Sequence, residues 1–158
     1  MLGSSDHLRN LLGRYAELID AGDLDGVGAL FAFGALAGPD GTVFARGAAE
    51  VADSYRRTTR LHDGSPRTHH LVLGSVVAPP AGDGTVEVRS SYVVLQAVDG
   101  LALQPIISGR YVDTFAQDGE ATDETADGGW HFVLRRFTVE LVGDLTRHLA
   151  DPAVAGEP

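Results

Sequence analysis

Arg14-Tyr15-Ala16-Glu17-Leu18-Ile19-Asp20-Ala21-Gly22-Asp23-Leu24-Asp25 is the stretch on which the reading of this chain turns. Taken with the residues before it, Leu8, Leu11, Leu12, Tyr15, Leu18 and Ile19 fall on one face of a helix. The pattern meets Gly22 and restarts with Asp23 as an N-cap, followed by Val27, Leu30 and Phe31. Tyr15 and Asp20 carry polar tips on or beside a stripe that must face a core. A small fold lines a pocket with hydrogen-bonding groups in this way, and satisfies a structural tyrosine in the same way.

Working outward, residues 6–21 and 23–33 read as two helices. Residues 35–46 hold the turn signal Gly38-Pro39-Asp40-Gly41 between short apolar pieces and read as a small hairpin. Ala48, Val51, Ala52 and Tyr55 recur at helical spacing, which predicts a third helix over 47–61. Four strands are expected after it, over 68–78, 85–98, 103–116 and 129–142. The loop 117–128, with five acidic residues and two glycines, reads as mobile. Residues 1–150 read as one domain and 151–158 as a disordered tail. Helices followed by long consecutive strands argue an α+β fold: a cone-shaped, curved antiparallel sheet with three N-terminal helices on its concave face. Strands this long must bend in so short a chain, and a bent sheet closed by helices leaves a conical cavity.

Composition narrows the function classes. The 158 residues are 44% hydrophobic, enough for a real core. A net charge of −10 argues against nucleic acid or an anionic membrane as partner, since either needs a basic stripe. The absence of cysteine excludes disulfides, thiolate catalysis and thiolate metal sites. No apolar run approaches a membrane span and no signal-peptide core opens the chain, so a cytoplasmic protein is expected. Arginine without a single lysine suits a GC-rich bacterial genome. The histidines lack metal-ligand spacing, no glycine-rich phosphate loop follows a strand and no nucleophile elbow is present. Neither metal nor cofactor is expected.

Several motifs together resemble the SnoaL-like branch of the nuclear-transport-factor-2-like superfamily. They are Arg14-Tyr15 with Asp20-Ala-Gly-Asp-Leu-Asp, Ala29-Leu30-Phe31-Ala32, Gly47 opening a helix and Arg67-Thr68-His69-His70 opening a strand. Gly109-Arg110-Tyr111-Val112-Asp113, Gly129-Trp130-His131-Phe132 with Arg135-Arg136, and Gly143-Asp144-Leu145-Thr146-Arg147-His148-Leu149 complete the set. The resemblance spans roughly residues 5 to 150. It implies a cystatin-like cone, or α+β barrel, with a deep pocket and oligomers built through the sheet face. The superfamily includes ketosteroid isomerases, scytalone dehydratase, polyketide cyclases, epoxide hydrolases, dioxygenase small subunits and pure binding modules, and the fold does not choose among them.

By that resemblance, Tyr15 matches the isomerase tyrosine that donates to a substrate oxyanion, and Asp113 falls where a protonated aspartate is the second donor. The alternatives are a Tyr15 hydroxyl on a backbone carbonyl, and an Asp113 paired with Arg110 or Arg136. The isomerase base belongs in the hairpin after helix two. Asp40 stands one position out there, in a turn where exposure is expected. His70 corresponds to a pocket histidine of scytalone dehydratase, and Asp20 to its pocket aspartate. Such a pair orients the imidazole for acid–base work. That enzyme's second histidine falls near Gln96. His69 and His70 point to opposite faces, so only one is internal, and His70 is the one favoured.

Phe31, Tyr55, Tyr92, Val94 and Gln96 are the expected substrate-binding residues, with core packing as the alternative for Phe31 and Tyr55 above all. This lining suits an apolar, aromatic or polycyclic small molecule with a few oxygens. The expected function is a cofactor-independent lyase, isomerase or cyclase acting by proton transfer on a hydrophobic carbonyl compound. The alternative is a ligand-binding or dioxygenase-small-subunit-like assembly module. A homodimer is the expected assembly, with a trimer as the other possibility.

Overall fold

A computed structural model describes residues 3–118 and 127–151. Most of the expected mobile loop, and the tail after Asp151, lie outside the described residues. Helix α1 spans Ser4–Ala21 and buries Leu8, Leu11, Leu12, Tyr15 and Ile19 along one stripe. It ends where Gly22 takes φ 78°, a left-handed turn that suits glycine, and where its N–H and that of Asp23 close back onto Leu18 and Ile19 carbonyls. A side chain at Gly22 would also lie 2.2 Å from the Gly64 carbonyl oxygen. Asp23 caps α2 (Leu24–Leu30) by accepting from the Gly26 N–H at 2.8 Å.

The second helix is shorter than its apolar spacing predicts. Phe31 forms its C-cap, and the chain must enter the sheet at Ala35. Gly34 allows this, because a Cβ there would stand 2.5 Å from the Phe132 carbonyl oxygen. Strands β1 (Ala35–Ala37) and β2 (Val43–Arg46) form the expected hairpin, and α3 follows over Gly47–Thr58. This helix also stops short of residue 61. Thr59 bridges to Leu149, and the Arg60 N–H donates to the His148 carbonyl at 2.8 Å, so the chain there turns to pair with the last described segment.

The four long strands are β3 (Thr68–Val77), β4 (Val86–Val98), β5 (Leu101–Gln117) and β6 (Trp130–Val142). The sheet order is β2-β1-β6-β5-β4-β3. One expectation is corrected here: the sheet is mixed and open rather than wholly antiparallel, because β1 runs parallel to β6. Register shifts within β3–β4, β4–β5 and β5–β6 bend the strands into the expected curve. Helix α1 lies against β3 on the inner face, and α2 packs on α3. An aromatic part of the core forms where Phe31 stacks on Phe132 at 4.6 Å and Phe132 meets Phe115 at 4.5 Å. Among the described residues, no helix is long and apolar enough to cross a membrane.

Candidate functional site

The last turn of α1 and the first residues of β3 are joined by one carboxylate. Asp20 Oδ1 accepts from His70 Nδ1 at 2.6 Å and from Thr68 Oγ1 at 2.8 Å, while Oδ2 accepts from the His70 backbone N–H at 2.8 Å. The side chains of His70 and Asp20 are only 8% and 15% exposed, so little water competes for these bonds. Burial works to raise the Asp20 carboxyl. The bonds from His70 and Thr68, with the imidazole's charge, outweigh it and hold the pKa below its ordinary value. A carboxylate only accepts, so the ring proton sits on Nδ1 and Nε2 is left for a ligand. His70 is the inward member of the histidine pair, and His69 is exposed, as strand alternation requires.

His70 lines a cavity of about 110 Å³ with Tyr15, Tyr55, Tyr92, Arg135 and His148 on its polar side. Val94, Ile107, Tyr111 and Phe137 complete the wall. Tyr15 stands edge-on to His70 with ring centroids 6.2 Å apart, and its hydroxyl shares a 2.8 Å hydrogen bond with that of Tyr55. Burial pushes the Tyr55 and Tyr111 phenols well above their usual range and Tyr92 up to about 12. All three keep their protons at neutral pH and serve as donors. Tyr92 stacks on Tyr111 at 4.3 Å and donates to the Thr138 carbonyl.

Asp113 requires a correction. It is fully buried, and both its oxygens accept from Arg135, from Nε at 2.7 Å and from Nη2 at 2.9 Å. Burial pushes its carboxyl up and the guanidinium opposes this. With a donor on each oxygen the group is an ionised partner of Arg135, not a neutral acid that donates to a substrate. The pairing expected with Arg110 or Arg136 is also displaced by one residue, since Arg110 binds the exposed Glu140 instead. Arg135 packs against the rings of both Tyr15 and Tyr111, 4.1 and 4.0 Å from their centroids.

Two of the five expected binding residues fall elsewhere. Phe31 sits in the aromatic core and does not line the cavity. Gln96 is buried but donates to the Pro66 and Arg147 carbonyls, at 2.9 and 3.3 Å. Tyr55, Tyr92 and Val94 do line it. Asp40 is exposed and turns inward on Thr42, consistent with a turn residue rather than a base. Sequence reasoning missed Arg135, Tyr111 and His148. The His148 ring is carried into the cavity by the pairing of its segment with Thr59 and Arg60. Burial, then the neighbouring His70 and His62, lower its pKa to about 4, so it is neutral at physiological pH.

A larger depression of about 450 Å³ is lined by His62, Asp63, Arg67, Asp99 and Arg147 near the β4–β5 turn. It lacks the buried acid–base pair, so the smaller cavity is the candidate site. Among the described residues, no group of three or more His, Asp or Glu side chains converges to hold a metal ion.

A family model for the SnoaL-like domain matches residues 2–136. The chain belongs to the SnoaL-like family. Solved structures resemble it over most of its length. Rv3472 of Mycobacterium tuberculosis, a protein of unknown function, is 25% identical with a TM-score of 0.63, covering 85% of this chain and 70% of that one. A Novosphingobium aromaticivorans protein described as a scytalone dehydratase is 16% identical, TM-score 0.65, over 97% and 95% of the two chains. The β subunit of a protein from the same organism, described as an aromatic-ring-hydroxylating dioxygenase, is 17% identical, TM-score 0.64, over 90% and 94%. No curated protein matches this chain. At such identities the likeness to the last two is one of fold.

Proposed function

We propose that this SnoaL-like chain is a cofactor-independent acid–base catalyst, a lyase, isomerase or cyclase for a small hydrophobic carbonyl compound. The observation that carries the reading is the 2.6 Å bond from His70 Nδ1 to Asp20 inside a cavity walled by tyrosines. With Nδ1 held, His70 Nε2 takes a proton from the carbon next to the carbonyl, and Asp20 stabilises the imidazolium that forms. The electron pair moves onto the carbonyl oxygen, where the Tyr15–Tyr55 hydroxyl pair offers a donor. Return of the proton to a second carbon gives isomerisation, and its delivery to a departing hydroxide gives loss of water. His148, neutral in the same wall, is a second carrier for that proton.

A cavity of about 110 Å³ is smaller than the ~300 Å³ at which ordinary small-molecule sites begin. It suits a single ring rather than the polycyclic ligand that the sequence reading allowed. The same small volume favours the second reading, a non-catalytic binding or assembly module, which the fold likeness to a dioxygenase β subunit also supports.

Exchange of the α-hydrogens of cyclohexanone in D2O, followed by proton NMR, separates the two. The catalytic reading expects acceleration by the native protein, a loss of roughly 10²–10⁴-fold in His70→Ala, and a loss of similar order in Asp20→Asn. Exchange at one rate in native protein and His70→Ala would leave only the binding module.

A further inference from the structure

We infer that Arg135 Nη1 is an oxyanion-binding group, so that the ligand of this cavity presents a charged or charging oxygen, carboxylate or enolate, to that nitrogen beside His70. The inference rests on the proposed reading for the place of the site and adds the class of ligand. A guanidinium carries five N–H donors in one plane. On Arg135, Nε and Nη2 both donate to Asp113, whereas Nη1 has no hydrogen-bond partner among the described residues although the side chain is fully buried. A buried donor left unmet is costly, and more so when it is charged.

Its availability follows from the same geometry. Arg135 lines the cavity and Asp113 does not, and with Nε and Nη2 taken by Asp113, Nη1 is the nitrogen left over for a ligand there. The rings of Tyr15 and Tyr111, nearly perpendicular to each other, pack against the guanidinium from two adjoining sides at 4.1 and 4.0 Å. Of the hydroxyls on this wall, Tyr92 donates to the Thr138 carbonyl, while the Tyr15–Tyr55 pair spends one of its two protons internally and keeps one for the ligand. The Asp113–Arg135 pair is formally neutral but polarised, with its cationic edge toward the ligand. Asp20, the nearest carboxylate on the His70 side, is bonded to the far ring nitrogen, and His148 brings no charge at neutral pH. An oxygen at Nη1 therefore meets a donor of positive character, with no competing anion on the cavity wall.

The probe is 4-nitrophenol, whose ionised and neutral forms absorb at different wavelengths. In the native protein the bound dye should ionise about one pH unit lower than in water. That is roughly a tenfold preference for the anion, the low end for a hydrogen bond to a charged group. Arginine-labelled protein should show the Arg135 guanidinium NMR signals moving with nitrophenolate or with benzoate, and staying still with benzamide. A larger movement with benzoate than with nitrophenolate assigns a standing carboxylate to the ligand, and the reverse assigns an enolate formed in turnover.

His70→Ala should abolish ketone exchange yet keep the dye's preference within about twofold, which separates this inference from the acid–base reading. The double substitution Asp113→Leu with Arg135→Met removes the pair together and should erase the preference. If that variant does not fold, the NMR measurement on native protein decides. No binding of the dye, equal binding of its two forms, or Arg135 signals that stay still on binding would each overturn the inference.

Discussion

His148 shows how a single side chain couples this site to stability. Burial and the positive potential of His70 and His62 lower its pKa from 6.5 to about 4. Between those values the unfolded chain binds a proton that the folded chain refuses, so stability rises with pH across this window and falls as pH drops through it. The full difference is about 3 kcal/mol at 1.36 kcal/mol per pH unit. Urea unfolding at pH 7 and at pH 4 should therefore show a loss of this order in the native protein, beyond the common acid slope. His148→Asn should remove it. Equal losses in both would place the proton elsewhere.

At the scale of elements, a few backbone approaches decide where side chains end up. Gly28 on α2 faces α3, and a Cβ there would stand 2.4 Å from the Ala48 carbonyl oxygen and 2.9 Å from the Ala52 methyl. Alanine improves helix propensity by about 1 kcal/mol over glycine. Overpacking against rigid backbone costs about 1–3 kcal/mol. The clash wins, and Gly28→Ala should lower the unfolding midpoint rather than raise it.

The bulge between β5 and β6 matters more for the site. Asp113 pairs with Arg135 and Phe115 with Phe132, so Val133 is the extra residue on β6. Simple alternation from Phe132 would send Leu134 and Arg136 inward. The bulge moves the inward set to Arg135 and Phe137. The sequence reading offered Arg110 or Arg136 as the partner of Asp113, and the bulge is why the structure supplies Arg135.

For the whole molecule, the aromatic core and the cavity are separate regions of one concave face. Phe31, fully buried against Phe132, belongs to the first, and Tyr55, bonded to Tyr15, belongs to the second. Phe31→Leu should destabilise by about 1–2 kcal/mol in thermal or urea unfolding. It should leave cyclohexanone exchange unchanged per folded molecule. A comparable fall in exchange would return Phe31 to the cavity wall.

The meeting of Asp20 with His70 was implied by the family resemblance. Local patterning alone determined the order of helices and strands, the Gly22–Asp23 break and the opposite facing of His69 and His70. These depend on periods of 3.6 and 2 residues and on caps, all of which are written within a few positions of one another. The tertiary structure decided what depends on register and on distant pairing. The parallel seat of β1 beside β6 ended α2 early. The Thr59–Leu149 bridge brought in His148, and the slip at Val133 paired Asp113 with Arg135 instead of leaving it as an acid. Each of these is fixed by where two remote backbones meet, and one residue of offset reverses which side chains face the cavity.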